Sequence, residues 1–184
     1  MRIGVYPGSF NPVHKGHIRI VRHLLRKRYV DQVLIVPTGN YWQKQDLLPV
    51  KERIKMLKYF ENGKIVIEEE YNALPYTYQL MRKLKKRYPE DSLSLIIGAD
   101  TIVTFDRWVR YKELLKYDFI VLNRNGIDVD RYMKSLGKRN YVVVTDLEEI
   151  EISSSYIREN IDDYGLLKEM IDQRVYRYYK KAIR

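Results

Sequence analysis

Two histidines three residues apart, His14 and His17, follow directly on the strand-like run Ile3-Gly4-Val5-Tyr6 and open a helical pattern. At that spacing they share one face of a first helical turn. Two imidazoles placed there can hydrogen-bond phosphate oxygens and stabilise charge that builds on a phosphorus centre. Gly8 lets the backbone approach a ligand closely, and Gly16 removes a side chain between the two rings. A strand–turn–helix start also aims backbone N–H groups and the positive end of a helix dipole at whatever sits above the sheet. The remaining histidine, His23, lies about half a turn round the helix from His14, at ~100° per residue. The three histidines therefore cannot form one site, and no protein-held metal is expected. The segment is neither a G-x-G-x-x-G loop nor a Walker loop, so dinucleotide dehydrogenases and P-loop ATPases lose support.

A second candidate follows the last strand-like run. In Ile152-Ser153-Ser154-Ser155-Tyr156-Ile157-Arg158 a run of serines opens a helix, with a guanidinium one turn in. Serines are strong N-caps, and at a helix N-terminus they also make an anion cradle to which Arg158 adds a charged fork. Other residues follow strand-like runs. Asp100 comes after Gly98, and Arg124 after Phe119–Asn123. The segment 38–49 shows no helical period and carries Tyr41, Trp42 and Lys44; it is a candidate mobile loop.

These positions need a scaffold. Apolar, β-branched stretches at 2–6, 33–37, 64–68, 93–97, 118–122 and 141–144 alternate with helical-period stretches near 15–29, 50–61, 76–88, 111–116, 154–161 and 165–182. Such alternation predicts an α/β fold, a doubly wound parallel sheet flanked by helices. In open sheets of this kind ligands bind beyond the carboxyl ends of the strands, where the segments 7–17, 37–44, 98–108, 123–124 and 152–158 fall. The stretch 123–140 reads as irregular, with turns at Gly126 and Gly137.

The chain has 184 residues and no linker-like tract, so a single domain over 1–184 is expected. It has no cysteine, which removes disulfides and thiolate chemistry and suits a reducing cytoplasm. Its mean hydropathy of -0.46 and lack of a long apolar run exclude a transmembrane helix, and no secretory signal pattern opens the chain. The net charge of +10 invites anionic partners, and with 17 tyrosines it keeps a non-catalytic nucleotide- or RNA-binding module in view. The basic residues are scattered among Asp and Glu, however. The densest cluster, Arg82-Lys83-Leu84-Lys85-Lys86-Arg87, reads as the wet face of a helix, so no nucleic acid or membrane partner is expected.

Gly8-Ser9-Phe10-Asn11-Pro12-Val13-His14-Lys15-Gly16-His17 resembles the G-x-F-x-P-x-H-x-G-H signature of the nucleotidyltransferase α/β-phosphodiesterase superfamily. Ile152–Arg158 resembles the I-S-S-T-x-I-R motif of its adenylyltransferases, with Ser155 where threonine is usual. Gly98-Ala99-Asp100 with Trp108 and Leu114-Leu115, Pro75-Tyr76-Thr77, Phe119–Arg124 with Gly126, and Val175–Tyr179 resemble, in order, segments of the bacterial nicotinate-mononucleotide adenylyltransferases. One departure stands out: Tyr41-Trp42-Gln43-Lys44 replaces the usual P-P-H-K element, keeping the lysine and losing the histidine.

The resemblance implies a Rossmann-like enzyme that moves AMP from ATP to nicotinate mononucleotide, releasing pyrophosphate, with Mg2+ held by the substrate. His14, His17, Lys44 and Arg158 would then be catalytic. Gly8, Ser9, Phe10, Gly16, Gly98, Asp100, Arg124, Ser154, Ser155 and Ile157 would hold ATP, and Tyr76, Thr77 and Trp108 the mononucleotide. Nicotinamide mononucleotide or phosphopantetheine are the alternative acceptors, and a homo-oligomer stays open.

Overall fold

The computed structural model describes residues 1–39, 47–123, 126–148 and 151–184. The six strands expected from the sequence all form: β1 Arg2–Gly8, β2 Gln32–Pro37, β3 Ile65–Ile67, β4 Ser92–Gly98, β5 Asp118–Leu122 and β6 Tyr141–Val144. They make one six-stranded sheet in the order β3-β2-β1-β4-β5-β6, and every neighbouring pair is parallel. Parallel strands joined by helical crossovers are covered on both faces, which is why they read as near-continuous apolar runs.

The strand residues alternate between two cores. Val33 and Ile35 of β2, Ile96 of β4 and Ile120 of β5 face one, while Leu34, Leu95 and Val121 face the other. The helices sort accordingly. Helices α1 (Lys15–Arg26), α2 (Val50–Leu57), α7 (Ser154–Glu159), α8 (Tyr164–Leu167) and α9 (Gln173–Ala182) bury Val21, Leu57, Ile157, Leu167 and Val175 in the first core. Helices α3 (Thr77–Arg87), α4 (Ala99–Ile102), α5 (Tyr111–Leu114) and α6 (Val129–Ser135) bury Leu84, Ile102, Leu114 and Met133 in the second. This is the doubly wound α/β fold read from the sequence. The strand order reverses between β1 and β4, so the crevice for a ligand opens above those two strands. In α3, Leu84 is buried while Arg82, Lys83, Lys85 and Lys86 are exposed, as the wet-face reading requires.

Two expectations are corrected. The stretch 123–140 contains helix α6, whose N-cap Asp128 accepts from the Arg131 backbone N–H at 3.1 Å. Seven residues are too few to show a helical period in sequence. The helix expected over 165–182 is two, α8 and α9. Between them the Met170 carbonyl accepts the Lys15 N–H at 2.8 Å, and Ile171 is fully buried. The break therefore lets the chain seat the N-terminus of α1, and Asp172 restarts the helix by capping the Arg174 N–H. Among the described residues no helix is long and apolar enough to cross a membrane.

Candidate active site

The turn after β1 is held by its own side chains. The Phe10 ring folds back over Gly8, where a Cβ would come within 2.9 Å of its Cζ, so position 8 excludes a side chain while that ring stays in place. Phe10 itself takes a positive φ of 48°, a conformation that costs a non-glycine residue about 1–3 kcal/mol and clusters at functional sites. Its ring then meets the His17 imidazole edge-on at 4.9 Å and Tyr6 at 5.5 Å.

His14 is the N-cap of α1 and His17 its third residue. The His14 backbone N–H donates to His17 Nδ1 at 3.3 Å, and the two rings stack with centroids 3.6 Å apart. An Nδ1 that accepts leaves the ring proton on Nε2, so His17 is set as an Nε2–H donor. His14 is buried, and its Nδ1 lies buried without a hydrogen-bond partner among the described residues. Burial pulls its pKa down to about 4, so the ring is neutral at physiological pH.

The C-terminal motif converges on the same turn. Ser154 Oγ donates to the Pro12 carbonyl at 2.9 Å. Arg158 donates through Nη1 to the Asn11 carbonyl at 2.8 Å and through Nη2 to Ser155 Oγ at 3.2 Å. The N-cap of α7 is Ser153, which accepts the Tyr156 N–H, and Ile157 is core. Residues nearly the whole chain apart thus form one wall above β1.

A residue that sequence reasoning missed braces the opposite wall. Arg53 of α2 is fully buried, and its guanidinium donates to the carbonyls of Ser9 at 2.5 Å, Thr38 at 2.7 Å and Leu48 at 3.0 Å. In sequence it looks like the polar side of an amphipathic helix. The hint available was its position one turn into a helix after Pro49, next to the candidate mobile loop 38–49.

A cleft of about 480 Å3 opens at the end of β1, against Pro7 and Ser9. Ser9, Thr38, Tyr76, Thr77, Arg107 and Trp108 are among the residues lining it. Tyr76, Thr77 and Trp108, distant in sequence, therefore share one cavity. The Trp108 ring rests on fully buried Phe105 with centroids 5.1 Å apart, which fixes one cleft wall. Thr77 is the first residue of α3 rather than its N-cap; Tyr76 takes that position. Gly98 ends β4 and caps α4, leaving Asp100 exposed in its first turn. Lys44 and Arg124 lie outside the described residues. Gly16 is buried in α1, next to the two rings.

His23 makes a separate cluster: it meets Asp146 at 2.8 Å, and Tyr29 donates to the same carboxylate. These contacts hold the Asp146 carboxyl at about 2. Among the described residues no group of three or more His, Asp or Glu side chains is arranged to hold a metal ion.

A 3-2-1-4-5-6 parallel sheet with a histidine pair and a serine–arginine wall above its switch point defines a nucleotidyltransferase-type α/β protein. The cytidylyltransferase-like family matches residues 5–160. Two curated relatives are both named "Probable nicotinate-nucleotide adenylyltransferase". One, from Carboxydothermus hydrogenoformans, is 32% identical over 96% of this chain and 94% of its own. The other, from Acholeplasma laidlawii, is 37% identical over 86% and 85%. A solved structure, Plasmodium falciparum nicotinic acid mononucleotide adenylyltransferase complexed with NaAD, shares the fold with a TM-score of 0.81 at 20% identity, covering 98% of this chain and 95% of that one. The chain belongs to the cytidylyltransferase-like family, within its nicotinate-nucleotide adenylyltransferase branch.

Proposed function

We propose that this protein transfers AMP from ATP to nicotinate mononucleotide, giving nicotinic acid adenine dinucleotide and pyrophosphate, a step of NAD biosynthesis. The observation that carries the reading is the His14–His17 pair, stacked above the switch point and walled by Ser154 and Arg158.

The acceptor's phosphate oxygen attacks the α-phosphorus of ATP, and the bond from that phosphorus to the bridging oxygen breaks as pyrophosphate leaves. The attacker is already an anion, so no covalent enzyme intermediate is needed. Catalysis is positioning plus stabilisation of charge on the phosphoryl oxygens. His17 donates from Nε2 to the α-phosphate, and neutral His14 stacks against its ring. Arg158, Ser154, Ser155 and Lys44 meet the β- and γ-phosphates. The Gly8-Ser9-Phe10 turn and Gly16 leave room for the triphosphate, with Ile157 packing behind it. Gly98 and Asp100 approach the adenosine from the other side of the switch point, and Arg124 is assigned to the same nucleotide. ATP enters as its Mg2+ complex, the ion neutralising polyphosphate charge and staying with the substrate. The pyridine ring of the acceptor stacks on Trp108, with Tyr76 and Thr77 at its substituent.

Pyrophosphate release in the presence of ATP, Mg2+ and nicotinate mononucleotide tests this. Release that depends on the acceptor supports it. Release only with nicotinamide mononucleotide or phosphopantetheine moves the substrate and keeps the chemistry. No release with any acceptor removes the reading.

A further inference from the structure

The cleft that holds Tyr76, Thr77 and Trp108 is almost without charge. Its other walls include Val36, Leu74 and Leu80, and no Asp, Glu or Lys side chain appears among the described residues that line it. Arg107 is the one ionised side chain in that lining.

Its backbone is firmly placed. Arg107 ends the 3-10 turn Phe105–Arg107, and the next residue closes that turn by donating from the Trp108 N–H to the Phe105 carbonyl at 3.0 Å. Phe105 is fully buried and packs edge-on against Phe119 of β5 at 5.2 Å between centroids. The two nearby arginines are already engaged: Arg82 and Arg110 both pair with Glu113. The Arg107 backbone N–H donates to the Thr104 carbonyl at 3.1 Å, while its exposed side chain makes no ion pair or hydrogen bond with any of the described residues.

We infer that Arg107 is the specificity-determining residue that makes this site prefer an acceptor ring bearing a carboxylate over the same ring bearing an amide. The inference rests on the adenylyltransferase reading. A substrate ring seated against Trp108 closes an apolar cleft and expels water, and the loss of water strengthens a charge pair inside it. A guanidinium can meet a carboxylate with two parallel N–H donors. A carboxamide offers one oxygen and no charge, and its NH2 group faces a cation that cannot accept from it. The same geometry therefore attracts the acid and discriminates against the amide.

The test measures kcat and KM for pyrophosphate release with nicotinate mononucleotide and nicotinamide mononucleotide, for the wild type, Arg107→Gln and Arg107→Lys. Arg107→Gln is expected to lower the acid-to-amide ratio of kcat/KM about tenfold, mainly by raising KM for the acid. Arg107→Lys should recover part of the ratio, and raising ionic strength from about 50 to about 500 mM should erode it in the wild type more than in Arg107→Gln. A ratio unchanged in Arg107→Gln, or an equal fall for both acceptors, overturns the inference and leaves the adenylyltransferase reading standing. A wild-type protein that turns over neither acceptor overturns both.

Discussion

The backbone N–H of His14 donates to Nδ1 of His17 at 3.3 Å while the two imidazoles stack 3.6 Å apart. The capping contact and the catalytic assignment are therefore one arrangement. By accepting at Nδ1, His17 keeps its proton on Nε2, the nitrogen assigned as the phosphate donor. His17→Asn preserves a cap acceptor near the Nδ1 position and removes the Nε2 donor. It should fold with a melting temperature close to wild type and lose about 10²–10³ in kcat, as removal of one oxyanion donor does elsewhere. Wild-type turnover in that variant, read by pyrophosphate release, would contradict the role given to His17.

His14 supplies a pH dependence of stability. In the unfolded chain it takes a proton near 6.5, and in the folded protein burial delays this to about 4. Between those values the unfolded state binds more protons, so stability falls as pH drops from 6.5 towards 4 and the full penalty applies below 4. The penalty is about 2 kcal/mol at about pH 5 and approaches about 3 kcal/mol in full. Asp31 and Asp146, held at about 2 by Arg2 and His23 respectively, act in a lower window that opens below 3.8. Urea unfolding of wild type and His14→Asn at two pH values isolates the histidine. The variant should lose most of the difference between pH 7 and pH 5, and a variant with an undiminished difference would refute the assignment.

Arg158 reaches Asn11, 147 residues away in the chain, and steadies Ser155 at the same time. Arg158→Ala should raise the KM for ATP about tenfold or more, the size expected when a charge-assisted contact is lost. Arg158→Lys should restore only part of it, because one ammonium lacks the fork that meets both partners. Steady-state kinetics with ATP as the varied substrate would show this. An unchanged KM for ATP in Arg158→Ala would place Arg158 outside the ATP site.

Arg53 binds three carbonyls from separate segments with one buried guanidinium. Arg53→Met keeps comparable length and removes every donor, leaving the Ser9, Thr38 and Leu48 carbonyls to find others. It should cost about 3 kcal/mol or more, measured by urea unfolding. A loss below about 1 kcal/mol would show that the three contacts are replaced by water.

The sheet was readable because parallel strands are buried on both faces. Runs such as Val33–Val36 and Leu95–Ile97 appear as unbroken apolar stretches in sequence, and the observed strands contain them. The first site motif was readable because it falls directly after β1, where this topology puts ligands, and the last because its serines open a helix beyond β6. Short and context-made features escaped. Helix α6 is too brief for a period, and the break before α9 exists to seat Ile171 and to supply Met170 to the start of α1. Arg53 shows its role only once Ser9, Thr38 and Leu48 surround it. The shared cleft of Tyr76 and Trp108 is likewise a product of packing between α3 and the turn before α5, which no local pattern encodes.

The most direct test of the central claim is acceptor-dependent pyrophosphate release. Purified protein with ATP and Mg2+ is given nicotinate mononucleotide, nicotinamide mononucleotide or phosphopantetheine in separate reactions, and the dinucleotide product is identified by mass. Rapid release with nicotinate mononucleotide is expected, one nicotinic acid adenine dinucleotide formed per pyrophosphate. Folded protein that releases no pyrophosphate with any of the three would contradict it.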